Sequence, residues 1–271
     1  MQFKFLNKIR QINPLIHCMT NYVTANYTAN GLLALGASPL MSTNIDEITE
    51  IGCLAQGILI NIGTFNTKDL EAMLVSGKTA NRLNKPIVLD PVGIGATQAR
   101  KQAVRRLLHE LDIALIRGNA GEIAELAEVS WQVKGVDAGD GNADLEYMAK
   151  RVAKKYQCIV AISGEIDLIS NGKKTVKIYN GTPLFPKITG SGCLLGAVCS
   201  AFLSIAEQKN YFNAVIEACS VYAVAGELAA QDLLPTQSGQ FSVRLLDQLG
   251  GITSEQFLQF VQLRNGKECD E

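Results

Sequence analysis

Histidine is nearly absent from this chain. His17 and His109 are the only two in 271 residues, and neither has a cysteine or carboxylate at zinc-site spacing, which argues against zinc catalysis and against a Ser-His-Asp mechanism. No C-x-x-C pair occurs among the seven cysteines, Cys18, Cys53, Cys158, Cys193, Cys199, Cys219 and Cys269. Scattered thiols in mostly apolar surroundings fit a reducing cytosol rather than a disulfide framework. An excess of basic charge is also missing: the formal net charge is -1, so a nucleic-acid partner is not expected. The cluster Arg100, Lys101, Arg105 and Arg106 falls at helical spacing and reads as a solvated helix face. No apolar stretch runs for about 20 residues without polar interruption, so no membrane helix is expected. Met1 to Pro14 mixes Phe3, Phe5, Leu6, Ile9 and Ile12 with Lys4, Lys8 and Arg10, the pattern of an amphipathic helix and not the apolar core of an export signal. G-x-x-x-x-G-K-[ST] occurs nowhere, which excludes a P-loop kinase, and Gly93-Ile94-Gly95 is too short for a dinucleotide fingerprint.

What is present is a chain 47% apolar and 19% charged, the composition of a compact soluble protein, which we read as one domain over residues 1–271. Short apolar runs alternate with helical patterns. Strands are predicted at Leu15 to Met19, Ser38 to Met41, Gly57 to Ile62, Pro86 to Asp90, Ile113 to Arg117 and Cys158 to Ile162. Helices are predicted from Thr20-Asn21 to Leu35, Asp46 to Gln56, Thr67 to Leu83, Thr97 to Glu110, Asn119 to Ala127 and Asp144 to Lys155. This alternation implies a mostly parallel sheet flanked by helices. Val129 to Ala143, with its glycines and polar residues, reads as a surface excursion. Asn171-Gly172 between Asp167 to Ser170 and Lys173 to Tyr179 predicts an antiparallel hairpin at the sheet edge. The remainder is mainly helical, through Tyr211 to Leu234, Gln240 to Leu249 and Ser254 to Leu263, and the polar tail Arg264 to Glu271 is expected to fray.

The informative residues stand at strand ends, where an open parallel sheet places its ligands. Asp90 ends one strand, Arg117 the next, with Glu122 shortly after it, and Ser163 ends a third. Thr189-Gly190-Ser191-Gly192-Cys193 then leads into the apolar stretch Leu194 to Ala206, a glycine-bracketed helix start whose backbone N–H groups and dipole suit a phosphate and favour a thiolate in the first turn. A carboxylate, a guanidinium and a hydroxyl on one rim facing such a turn describe a phosphate-handling site, with Asp90 and Glu122 able to hold hydrated Mg²⁺ and Arg117 able to bind phosphate oxygens. Taken singly, each residue has a plain structural reading. Asp90 precedes Pro91 as a turn residue would, Glu122 complements a helix dipole, Arg117 suits a salt-bridged strand end and Cys193 a small buried hydrophobe.

Several longer stretches carry a resemblance. Asn13-Pro14-Leu15-Ile16-His17 with Thr20-Asn21, the run Asn30 to Pro39 with Met41, Leu59 to Thr64, Leu89-Asp90-Pro91-Val92-Gly93, Ile116 to Ala120 with Glu122, and Thr189 to Leu195 closely resemble the hydroxyethylthiazole kinases, in the same order and over nearly the whole chain. The resemblance implies a ribokinase-like α/β fold and transfer of the ATP γ-phosphate to the hydroxyl of 4-methyl-5-(2-hydroxyethyl)thiazole, a salvage step toward thiamine diphosphate. It also implies a homotrimer with active sites at the subunit interfaces. Position by position, it assigns Met41 and Gly190 to the acceptor substrate, Arg117 and Ser163 to ATP, Asp90 and Glu122 to the Mg²⁺ region, and Cys193 to proton transfer where related kinases carry an aspartate. Ser163 replaces the usual threonine and keeps its hydroxyl. Cys18-Met19 and the polar Ser42-Thr43-Asn44 also depart from the family pattern. A kinase for another small alcohol such as a hydroxymethylpyrimidine, a nucleotide-dependent dehydratase of hydrated NAD(P)H, and a non-catalytic nucleotide-binding module stand as alternatives.

Overall fold

The computed structural model describes residues 3–129 and 141–266. In chain order its strands are β1 (Leu15–Met19), β2 (Ser38–Leu40), β3 (Gly57–Asn61), β4 (Ile87–Asp90), β5 (Leu115–Asn119), β6 (Ile159–Ser163), β7 (Asp167–Ser170), β8 (Thr175–Ile178) and β9 (Leu263–Asn265). They form one sheet in the order β2-β1-β3-β4-β5-β6-β7-β8-β9. Pairing is parallel from β2 through β6 and antiparallel from β6 through β9. The predicted mixed sheet is therefore present.

The helices are α1 (Phe5–Ile12), α2 (Ala25–Leu35), α3 (Ile48–Leu54), α4 (Thr67–Arg82), α5 (Gln98–Glu110), α6 (Ala120–Ala127), α7 (Gly141–Tyr156), α8 (Ser191–Ser204), α9 (Tyr211–Ala230), α10 (Ser238–Gly251) and α11 (Ser254–Phe260). Local chemistry sets several starts. Asn66 and Asp69 form a reciprocal capping box on α4, and the Thr97 side chain accepts from the Arg100 N–H at the start of α5, each satisfying amides the first turn leaves open. Burial on both faces explains why the central strands read as continuous apolar runs. In β3, Ile58 and Ile60 belong to the core layer that also holds Met73, Val104 and Met148, while Leu59 belongs to the layer on the other face with Ala197, Val198 and Phe202 of α8. Helix α9 belongs to this second layer. The span Gln208–Ala230 is long and apolar enough to cross a bilayer, yet most of it is buried inside the protein.

Four expectations are corrected. The chain after Thr20-Asn21 does not enter its helix at once; α2 begins at Ala25, and the intervening turn brings the Asn21 side chain back over the sheet. Arg100 is not a solvated residue: its guanidinium donates to the carbonyls of Ile62, Val92 and Gly63 at 2.7–2.8 Å, tying the loops after β3 and β4 together. The last helix stops at Phe260, and the start of the tail belongs to β9, with Leu263, Arg264 and Asn265 in register with Ile178, Lys177 and Val176, while residues 267–271 lie outside the described residues. Arg264 also lies over the Tyr179 ring, so backbone pairing and a cation–π contact hold a polar segment that has no apolar signature. Of the predicted excursion Val129 to Ala143, residues 130–140 lie outside the described residues.

Helix α1 docks through a device that hydrophobic periodicity does not reveal. Its apolar face buries Phe5, Leu6 and Ile9, and the backbone N–H groups of Lys4, Phe5 and Leu6 all donate to the Glu217 carboxylate of α9 at 2.7–3.0 Å. Truncation in Glu217→Ala leaves those amides without their acceptor, at a cost of about 2–4 kcal/mol, which calorimetry reads as a lowered melting temperature. Burial pushes the Glu217 carboxyl above its ordinary 4.5, against the pull of the three N–H groups. An acid raised in the native state holds its proton more tightly there than in the unfolded chain. Its contribution to stability is thus fullest below 4.5 and is lost as pH rises through the raised value. As pH rises above 4.5 the melting temperature of Glu217→Gln should therefore fall less than that of the unaltered protein.

Candidate active site

The strand order reverses between β1 and β3: the chain goes from β1 outward to β2, then returns to add β3 on the other side. Loops leaving the carboxyl ends of β1 and β3 diverge at such a point and open a crevice. Asn21 follows β1 and Asn61 ends β3. Their side chains meet across the crevice, with Asn21 Nδ2 donating to Asn61 Oδ1 at 3.0 Å.

From there a hydrogen-bonded row crosses the sheet. Asn61 Nδ2 donates to Asp90 Oδ2 at the end of β4, at 2.9 Å. Arg117 of β5 places Nη1 3.6 Å from the same oxygen and donates through Nη2 to Ser163 Oγ at the end of β6. Asp90 is 0% and Arg117 8% exposed, and Asp90 Oδ1 and Arg117 Nε have no partner among the described residues. Burial pushes the Asp90 carboxyl up, with the Arg117 guanidinium pulling it back and Glu122 adding to the rise. For Arg117, burial works against the charge and the surrounding Asp90, Glu122 and Asp167 carboxylates outweigh it, so the guanidinium stays charged. Beside it, burial raises the Asp167 carboxyl to about 6, against the Gly164 N–H and Arg117.

Helix α8 begins directly above this row. Gly190, in the left-handed region at φ 92°, turns the chain into the helix, and no side chain caps the first turn. A Cβ on Gly192 would lie 2.6 Å from Arg117 Nη1, so any larger residue there would have to displace the guanidinium that the helix start now sits against. The turn is held by the Tyr222 hydroxyl, which donates to the Ser191 carbonyl at 2.7 Å, and by Ser191 Oγ, which donates to the Phe185 carbonyl at 2.9 Å. Cys193 is half-buried in the first turn of α8, and its sulfur accepts from Asn21 Nδ2 at 3.3 Å.

This geometry joins a thiol, an open helix N-terminus and a buried guanidinium, and the relatives of the chain share one description. The model of the hydroxyethylthiazole kinase family matches residues 6–255. The chain belongs to the hydroxyethylthiazole kinase family. It is 59% identical over 263 residues to the hydroxyethylthiazole kinase of Histophilus somni (strain 129Pt), covering 97% of this chain and 99% of that one. With the hydroxyethylthiazole kinase of Pasteurella multocida (strain Pm70) it shares 58% over 259 residues, covering 96% and 97%. A solved hydroxyethylthiazole kinase protein from Pyrococcus horikoshii OT3 superposes with a TM-score of 0.88 at 34% identity, covering 98% of both chains. The pyridoxal kinase of Staphylococcus aureus in complex with ADP shares the fold alone, at a TM-score of 0.58 and 16% identity over 78% of this chain and 86% of that one.

Within this hydroxyethylthiazole kinase chain, Asp90, Arg117, Ser163, Gly190 and Cys193 converge on one rim. Glu122 lies beside them, but both of its oxygens are engaged: Oε2 accepts from the Asn119 N–H at 2.8 Å, in a capping box on α6, and Oε1 from the Gly93 N–H at 2.9 Å. Met41 is not brought to the row. It follows edge strand β2, with β1 and β3 between that strand and β4, and packs partly buried against the layer that contains α8. Asn21 and Asn61 were not singled out as site residues. Their signal was the strand-end position, which becomes informative only once β1 and β3 are known to be neighbours.

Proposed function

We propose that this chain is one kinase domain that transfers the γ-phosphoryl group of ATP to the hydroxyl of 4-methyl-5-(2-hydroxyethyl)thiazole, the salvage step toward thiamine diphosphate. The observation that carries this reading is the uncapped, glycine-started N-terminus of α8 set against Arg117, with Cys193 in its first turn. In this reading the N–H groups of Gly190 to Cys193 bind the transferring phosphoryl group, Arg117 and Ser163 hold the nucleotide phosphates, and the thiazole extends from Gly190 toward the sheet edge, where Met41 lies off the row. The alcohol oxygen bonds to the γ-phosphorus, the bond from that phosphorus to the β,γ-bridging oxygen breaks and releases ADP, and the alcohol proton passes to Cys193 Sγ acting as the thiolate. Phosphoryl transfer depends on positioning and charge stabilisation more than on covalent chemistry, which suits a rim of fixed donors.

The donor set also suits Mg²⁺. Among the described residues no three His, Cys, Asp or Glu side chains gather as a metal cage, but Asp90 Oδ1 is a buried oxygen without a partner, and Mg²⁺ bound through one or two carboxylates keeps waters and nucleotide oxygens as its other ligands. Asp90 would hold it, with Glu122 acting from behind; bound there, the ion neutralises charge developing on the phosphates. We place the enzyme in the cytoplasm as a homotrimer whose subunit interfaces complete the acceptor site, a state that sedimentation equilibrium tests.

The deciding experiment measures ATP turnover separately with hydroxyethylthiazole, with hydroxymethylpyrimidine and with hydrated NADH. Turnover confined to the thiazole alcohol is expected. A higher kcat/KM on the pyrimidine reassigns the acceptor, ATP-dependent repair of hydrated NADH reassigns the reaction class, and nucleotide binding without any turnover leaves a binding module.

A further inference from the structure

We propose that Asn21 is a positioning residue for this reaction: pinned by Thr24 and Asn61, it presents an amide N–H to the Cys193 sulfur and so keeps that sulfur available as the acceptor of the alcohol proton. The inference deepens the reading of Cys193 given above and rests on it.

The orientation of each amide follows from which neighbours can only donate. An asparagine side chain has an accepting end and a donating end of nearly the same shape. The Thr24 backbone N–H can only donate, and it lies 3.1 Å from Asn21 Oδ1, as does the Thr24 hydroxyl. That end of Asn21 is therefore the oxygen, and the two hydrogens of Nδ2 are directed at Asn61 Oδ1 and Cys193 Sγ. Asn61 is set by the same rule: the Gly63 N–H donates to its Oδ1 at 2.9 Å, which leaves Nδ2 to Asp90 Oδ2. With both carbonyl ends fixed by backbone donors, the amide cannot turn its oxygen toward the sulfur. An S–H directed at Asn21 would meet another hydrogen, so the thiol proton points away from Asn21 and a sulfur lone pair takes the N–H.

Burial gives this arrangement weight. Asn21 is 6% and Asn61 1% exposed, and a hydrogen bond shielded from water is stronger than an exposed one, more so once the acceptor carries charge. The thiolate is the basic and nucleophilic form of cysteine. A fixed donor beside Sγ stabilises that form at no reorganisation cost during the reaction.

Asn21→Asp tests this with almost no change of size. Its carboxylate keeps an oxygen for the Thr24 N–H but turns a second oxygen toward Asn61 Oδ1 and Cys193 Sγ, where a donor stood. We expect kcat to fall by at least about tenfold with KM for ATP within about twofold, the pattern of an interaction made at the transition state. In a Cys193→Ala background the same change should alter kcat less than about twofold, because no sulfur remains to be positioned. A second readout needs no turnover. Iodoacetamide alkylation at fixed neutral pH, resolved by peptide mass spectrometry, gives the rate at Cys193 relative to Cys53, an exposed thiol on α3. That ratio should drop about tenfold in Asn21→Asp; Asn21→Ala, which deletes the donor without adding charge, should lower it too and serves if the aspartate variant does not fold. An unchanged ratio in a folded variant, or an equal loss of kcat in the Cys193→Ala background, overturns the proposal. If Cys193→Ala alone retains full kcat, the role of the sulfur in catalysis fails instead, and the alkylation ratio still reports whether Asn21 governs it.

Discussion

Replacing Cys193 with alanine should lower kcat by about 10²–10⁴-fold, the usual contribution of a placed proton acceptor, while KM for ATP stays within about twofold. The groups proposed to face the phosphates, Arg117, Ser163 and the amides of the α8 start, do not depend on the sulfur, which is why the loss belongs in kcat. Stability should change little, because Cys193 is only half-buried and its removal leaves one Asn21 hydrogen to find water. Aspartate at the same position is expected to restore a large part of the activity. It places a carboxylate, ionised at neutral pH, in the first turn of a helix where negative charge is favoured, and its oxygen is a better acceptor for the Asn21 N–H than sulfur. Steady-state kinetics of the two variants, alongside their melting temperatures, check this. A folded Cys193→Ala enzyme with unaltered kcat reduces the residue to packing, and a folded but inactive aspartate variant contradicts the proton-acceptor role.

Much of this arrangement was legible in the sequence, and the exceptions share a cause. Strands β1, β3, β4 and β6 stood out as short apolar runs because both faces of each are covered, and the helices predicted from Thr67 and Thr97 start at Thr67 and Gln98. Asp90 and Ser163 were legible because they do end parallel strands, whereas Arg117, read as a strand end, is the middle residue of β5 (Leu115–Asn119) and reaches the rim through the length of its side chain. What could not be read was long-range pairing. Strand β9 consists of Leu263, Arg264 and Asn265, a polar segment made a strand by partners in β8 far back in the chain. Arg100 looked like its basic neighbours on α5 until the loops after β3 and β4 closed over it. The Asn21 to Asn61 contact depends on β3 lying beside β1, which no local pattern specifies.

Asp90→Ala should produce the largest loss of stability among the site variants, about 3–5 kcal/mol, or a fall in melting temperature on the order of 10 °C for a chain of this size. The carboxylate is fully buried and is held by Asn61 and Arg117 together. Its deletion leaves a buried guanidinium, whose Nε already lacks a partner, and strands the Asn61 amide hydrogen. A buried ion pair adds little net stability when compared with a well-packed apolar replacement, yet removing one partner alone is costly because the other charge cannot return to water. Asp90→Asn, which retains an oxygen for Asn61, should lose less. The pair Arg106 and Glu71 provides the contrast: both side chains are exposed, so Glu71→Ala should leave the melting temperature almost unchanged. Thermal unfolding of the three variants at one pH ranks them directly. Because Asp90 also carries a buried oxygen without a partner, its alanine variant should be inactive even well below its melting temperature. A stable and active Asp90→Ala protein would mean that the charged row across β4, β5 and β6 serves neither the fold nor the phosphoryl transfer.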